Sequence, residues 1–144
     1  MQITRVDNQV TLRQLWPEIA PQLQIMRLRC RESWLVEDVW ASLVQQKASL
    51  FIGQLDGQRV GFMVTELQWE AFAVKPVLHI WAAIGPHLLD QHADAVFVFT
   101  DQLARVAGAD RTRMVSPRKG WDKSSLLKWM RPVKTIWERE VSGE

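Results

Sequence analysis

Residues 49–67 read Ser49-Leu50-Phe51-Ile52-Gly53-Gln54-Leu55-Asp56-Gly57-Gln58-Arg59-Val60-Gly61-Phe62-Met63-Val64-Thr65-Glu66-Leu67. Two strand-like runs flank an Asp-Gly pair. Asp-Gly takes the positive backbone angles of a tight hairpin turn at low cost, so this stretch predicts two antiparallel strands. On the C-terminal side the second run ends near Trp69, and a loop through Lys75-Pro76 leads to Val77-Leu78-His79-Ile80-Trp81-Ala82-Ala83-Ile84. A continuous apolar run of this length suits a central strand covered on both faces. Gly85-Pro86 punctuates it.

Helices flank the hairpin in sequence. Val36, Val39, Trp40, Leu43 and Val44 repeat at helical spacing and predict a helix over about Leu35 to Gln46. Glu37 and Asp38 fall in its first turn, where the helix dipole favours acids. Upstream, Thr11 and Gln14 fit a capping box, and Leu12, Leu15, Trp16, Ile19, Leu23 and Met26 continue with helical periodicity. Pro17 and Pro21 each remove a backbone donor, so a break near Pro17 is expected. Gln2 to Val6 alternates and reads as a first strand. Downstream, residues 87–107 read as a third helix, although Val96-Phe97-Val98-Phe99 alone would suit a strand. Gly108 supplies its stop. Arg111 to Val115 is a short strand, Asp122 to Met130 a short helix, and Pro132 to Val141 an alternating last strand. The order β-α-α-β-β-β-α-β-α-β predicts an α/β (α+β) domain with a mixed sheet flanked by helices.

A chain of 144 residues with this single pattern is expected to form one domain, residues 1–144. An apolar fraction of 47% with 24% charged residues excludes a disordered tail or a coiled coil. No apolar run reaches a membrane span, and the start lacks a signal-peptide pattern. The single cysteine, Cys30, has no partner for an internal disulfide, so a reducing compartment is expected. Net charge is +2, but residues 105–134 hold nine Lys and Arg against two Asp, a local balance of +7 that leaves −5 for the remainder. Such a basic face suits an anionic ligand, an acidic protein or nucleic acid. No helix-turn-helix, zinc-ligand or RNP-like pattern accompanies it, so nucleic acid has only the charge in its favour. His79, His87 and His92 are not spaced as metal ligands, and no metal is expected.

The element order, with Asp56-Gly57 followed by Val60-Gly61, resembles the GNAT (GCN5-related N-acetyltransferase) fold over nearly the whole chain. A closer resemblance is to small GNAT-like proteins of tailed bacteriophages and prophages. It rests on Gly108-Ala109-Asp110, Arg111 to Val115, Ser116-Pro117-Arg118-Lys119-Gly120-Trp121, Leu126 to Met130 and Val133 to Glu140. The family implies acetyl-CoA bound at a Q/R-x-x-G-x-G/A loop after the central strand. Here that position holds Ala82-Ala83-Ile84-Gly85-Pro86-His87-Leu88. Only Gly85 is available, and Pro86 has no amide to donate. The family also implies a Glu general base on the central strands and a Tyr general acid, and this chain has no Tyr.

These departures point to a non-catalytic GNAT-like phage protein with no cofactor. It would act in the virion or host cytoplasm as a structural or assembly component, with portal, coat or tail proteins as partners. Arg118, Lys119, Trp121, Trp69 and Trp137 are its interaction candidates, by the enrichment of Arg and Trp in interfaces. The alternative is an N-acetyltransferase with an atypical pyrophosphate loop. Its catalytic candidates would be Glu66, Glu70 and His79, and its acetyl-CoA contacts Ile84, Gly85 and His87. Of the eight Trp, Trp16, Trp40, Trp81 and Trp129 are expected in the core. Trp34, Trp69, Trp121 and Trp137 are expected at element ends or an edge.

Overall fold

The computed structural model describes residues 1–85, 88–115 and 128–141. The predicted hairpin is present: β2 (Ala48–Leu55) and β3 (Gln58–Gln68) pair antiparallel, with Leu55 opposite Gln58. Asp56 and Gly57 have φ of 52° and 79°, the two positive values that a twisted two-residue turn requires. β1 (Gln2–Val6) lies antiparallel to β2, and β4 (Val77–Ile84) antiparallel to β3. β5 (Arg111–Met114) pairs parallel to β4, which closes a five-stranded sheet in the order β1-β2-β3-β4-β5.

Strand alternation divides the core between the two faces of this sheet. Leu50, Ile52, Phe62 and Val64 face one side and meet α1 (Gln9–Arg29) and α2 (Val36–Val44) through Leu12, Ile19, Leu23, Val39 and Leu43. Phe51, Met63 and Ile80 face the other and meet Ala93, Val96 and Phe97 of α4 (Ala93–Ala107), which follows the single turn α3 (Leu88–Gln91). Each fully buried side chain of Leu or Phe size contributes about 1.5–3 kcal/mol by leaving water.

Several expectations need correcting. Helix α1 is continuous through Pro17 and Pro21. The two prolines are four apart and both exposed, so the carbonyls that lose donors lie on the solvent side, and the buried stripe of Leu12, Ile19 and Leu23 is undisturbed. Its cap is Asn8, whose side chain accepts from the Thr11 amide at 2.8 Å, so the helix starts before the predicted capping box. As expected, Val96 to Phe99 is helical, because Val96, Phe97, Thr100 and Ala104 make one buried face at 3–4 spacing. Gly108 ends that helix with φ 79°, as expected.

The expected last strand is not formed. Residues 131–141 are exposed and carry no regular structure. Alternation gives a strand two faces, but a strand persists only where a neighbour takes its hydrogen bonds, and no described strand pairs with it. The expected helix at Asp122 to Met130 lies mostly outside the described residues. Its end is held where Trp129 Nε1 donates to Asp94 Oδ1 at 2.6 Å and its ring stacks on Phe97 at 6.0 Å. No helix among the described residues is long and apolar enough to cross a membrane.

Candidate functional site

Two irregularities in the central strands shape the site. The first is a bulge in β4. Val64 pairs with Ala82 and Thr65 with Ile80, so Trp81 is the extra residue. In consequence the consecutive residues Trp81 and Ala82 both pack on the α1/α2 side. The second is the divergence of β4 and β5. Their ladder runs only from Val77↔Arg111 to Ile80↔Met114, and Trp81–Ile84 have no strand partner on that side among the described residues.

A cavity of about 830 Å³ opens in this fork. Its sheet wall is β4 from His79 to Gly85, with Glu66 and Gln68 of β3 and Arg113 to Val115 of β5. Its other wall is the C-terminal end of α1 with the following loop, including Met26, Cys30 and Trp34. Lys134 and Ile136 border it as well.

Glu66, His79 and Arg113 form a row across three strands, because Glu66 is the register partner of His79 on β3 and Arg113 its partner on β5. His79 Nδ1 is buried and has no hydrogen-bond partner among the described residues. Burial pushes the His79 pKa below the ordinary 6.5. Glu66 opposes that shift, while the Arg113 charge adds to it. Burial thus favours the neutral imidazole, and its Nδ1 is left unpaired among the described residues. Glu66 is half-buried and accepts from Gln68 Nε2 at 2.8 Å.

Glu70 does not join this group. It is exposed and salt-bridged to Arg113 and to Arg111, the latter at 3.5 Å. The hydrogen bond and charge of Arg113 hold its carboxyl below the usual range, which makes it a weak base. Its service is to neutralise Arg113 beside the cavity.

Ile84 and Gly85 both line the cavity, but Gly85 answers a packing demand. A Cβ there would run into the Val60 carbonyl oxygen and lie 2.7 Å from Gly61 Cα. Gly61 is equally constrained: its Cβ would meet Ile84 O at 2.5 Å. The two glycines let β3 and β4 touch backbone to backbone at the cavity's edge.

His87, Arg118, Lys119 and Trp121 lie outside the described residues. Trp69 and Trp137 are exposed, at 67% and 91%. Trp16, Trp40, Trp81 and Trp129 pack against the core as half-buried residues. Trp34 lies, as expected, at an element end, in the loop that enters α2. It is half-buried and meets Trp81 edge-on, with centroids 5.6 Å apart at 85°. Sequence reading missed Trp34, Cys30, Gln68 and Arg113 as site residues. For Arg113 and Gln68 the signal was available, since correct strand registers place both beside Glu66 and His79.

No family model and no curated protein matches this sequence. Solved structures match over the whole chain. A probable acetyltransferase aligns over all of both chains with TM-score 0.68 at 15% identity. Ribosomal-protein-alanine N-acetyltransferase from Brucella melitensis biovar Abortus 2308 aligns with TM-score 0.61 at 18% identity, over 99% of this chain and 100% of its own. The aminoglycoside N-acetyltransferase AAC(6')-Iy in complex with CoA gives 0.63 at 15%, over 98% of this chain and 100% of its own. These neighbours overturn the expectation of a non-catalytic virion component, since the proteins sharing its architecture end to end are acetyltransferases. The expectation of no cofactor loses its support in the same way, because one neighbour holds CoA. The five-stranded mixed sheet flanked by helices is the GNAT acetyltransferase fold.

Proposed function

We propose that this protein is an acyl-CoA-dependent N-acyltransferase that passes an acetyl group to an amine in the fork between β4 and β5. The observation that carries this reading is the free edge of β4 beside a cavity of about 830 Å³. That volume is within the range of small-molecule sites. The outward N–H and C=O groups of Trp81–Ile84 suit the amide-bearing pantetheine arm of a coenzyme A thioester, which would lie along them like an added strand. When bound, acetyl-CoA supplies an activated acyl group whose C–S bond breaks as the amine N–C bond forms.

The chain's own residues manage protons and position. An amine must be neutral to attack, so a proton acceptor is needed. His79 favours its neutral form through burial, and its Nδ1 is unpaired among the described residues. It accepts the proton shed by the amine. Glu66, half-buried one strand away, holds the arriving ammonium by charge. Gln68 orients the Glu66 carboxylate through its 2.8 Å bond. Met26, Trp34 and Trp81 keep water from the reacting centre.

Calorimetric titration with acetyl-CoA tests the reading, paired with thiol release in the presence of a panel of amines. Binding with amine-dependent thiol release is expected. No heat at millimolar acetyl-CoA would end the proposal. His79→Ala should bind acetyl-CoA yet release thiol at least about a hundredfold more slowly, the usual scale of one general base.

A further inference from the structure

The acceptor side of the cavity has a definite chemical character. Trp34 and Trp81 form an edge-on aromatic pair in its wall, and Met26 and Ile25 continue that wall on α1. The Trp34 carbonyl accepts a hydrogen bond from Arg27 Nε, which pins the α1–α2 loop and sets the indole in place. The charges are graded by depth. Glu66 and Glu32 are half-buried, and no salt bridge to either is formed among the described residues. Arg113 is salt-bridged to Glu70, a carboxylate it shares with Arg111. The remaining lining cations, Arg29 and Lys134, are exposed and sit at the rim.

Recessed carboxylates beside aromatic rings attract one ammonium group, by charge and by the ring quadrupole. A basic rim repels a ligand with several positive charges. We propose that the acceptor is an arylalkylamine: one aromatic ring on the Trp34–Trp81 wall and one terminal ammonium directed to Glu66. The proposal rests on the acyltransferase reading and narrows it. Polyamines and aminoglycosides fit poorly, because they would bring further charges to Arg29 and Lys134 and no ring to the wall.

The full chain is titrated calorimetrically with phenethylamine, propylamine and spermidine, without acetyl-CoA. Phenethylamine should bind at least about tenfold more tightly than either, since the ring contact and the single charge both act in its favour. Trp34→Leu should lose about tenfold in phenethylamine affinity, while Trp34→Phe keeps most of it. Glu66→Gln should weaken both monoamines together. Spermidine binding as tightly as phenethylamine, or a Trp34→Leu protein that folds and binds it unchanged, would overturn the proposal. Should Trp34→Leu fail to fold, the wild-type comparison decides: equal affinity for phenethylamine and propylamine refutes the ring contact. The parent reading is tested separately by the acetyl-CoA titration. Amine selectivity without acetyl-CoA binding would remove acyl transfer and leave the amine site standing.

Discussion

Replacing Gly61 by Ala probes the backbone crossing that borders the cavity. A Cβ at Gly61 would lie 2.5 Å from the Ile84 carbonyl oxygen and 3.2 Å from Gly85 Cα. Both are main-chain atoms, so neither can swing aside as a flexible side chain would. Relief requires the two strands to separate by at least about 0.5 Å, to reach the 3.0 Å that real Cβ contacts respect. Overpacking of this kind costs about 1–3 kcal/mol. For a chain of this size that is a fall in Tm of about 3–10 °C. Ile84 and Gly85 also line the cavity, so a shift of their backbone should lower acetyl-CoA affinity together with stability. Gly57→Ala is the control. It has open space around it, and only its φ of 79° is strained. It should cost about 1–2 kcal/mol and leave acetyl-CoA affinity unchanged. Thermal melting followed by circular dichroism, with calorimetry on the same samples, reads both effects. A Gly61→Ala protein melting within about 1 °C of wild type, with unaltered affinity, would refute the crossing as a determinant of the site.

The folded pKa of His79 lies below its unfolded value near 6.5. As pH falls through 6.5, the unfolded chain takes up a proton first and the native state loses stability, the loss growing until the folded pKa is passed. Urea midpoints should therefore drop as pH falls through 6.5, and drop less in His79→Gln. Glu70→Gln should lower thiol release only a few-fold, by leaving the Arg113 charge uncompensated beside His79, and far less than His79→Ala; a loss as large as that of His79→Ala would restore Glu70 as a base. Pro17→Ala should stabilise the continuous helix α1 by roughly 1–3 kcal/mol, offset in part by a freer unfolded chain. A drop in Tm would show that the proline serves packing instead.

Features set by neighbours in the chain were legible early. The Asp56-Gly57 turn, the stop at Gly108 and helix α2 each depend on a few consecutive residues, and each lies where periodicity and turn chemistry place it. Errors arose where a local rule met a tertiary circumstance. Pro17 and Pro21 each remove a helix hydrogen bond, but both lie on the exposed face and the buried stripe of Leu12, Ile19 and Leu23 holds the helix through them. The helix expected through Val96 to Phe99 is present despite its strand-forming residues, because it has a sheet face to cover. Pro132 to Val141 alternates properly, yet alternation without a pairing edge leaves it exposed.

The site divides in the same way. Glu66 and His79 could be named from the sequence as proton-handling groups on central strands. Glu70 could be named with them and not told apart, because only the chain's path puts it beside Arg111 and Arg113. Gly85 was legible as a glycine after a strand, but its contact with Val60 and Gly61 was not. By itself the sequence determined the strands β1 to β5 with helices α1, α2 and α4 in their order, and the absence of Tyr, since these follow from near-neighbour spacing and composition. Tertiary structure alone decided the bulge at Trp81, the fork beyond Ile80, and the row of Glu66, His79 and Arg113. The physical reason is that register and divergence come from hydrogen bonds and packing between segments dozens of residues apart. Pairing in one register puts a histidine between a carboxylate and a guanidinium; a slip of one residue would send its side chain to the opposite face.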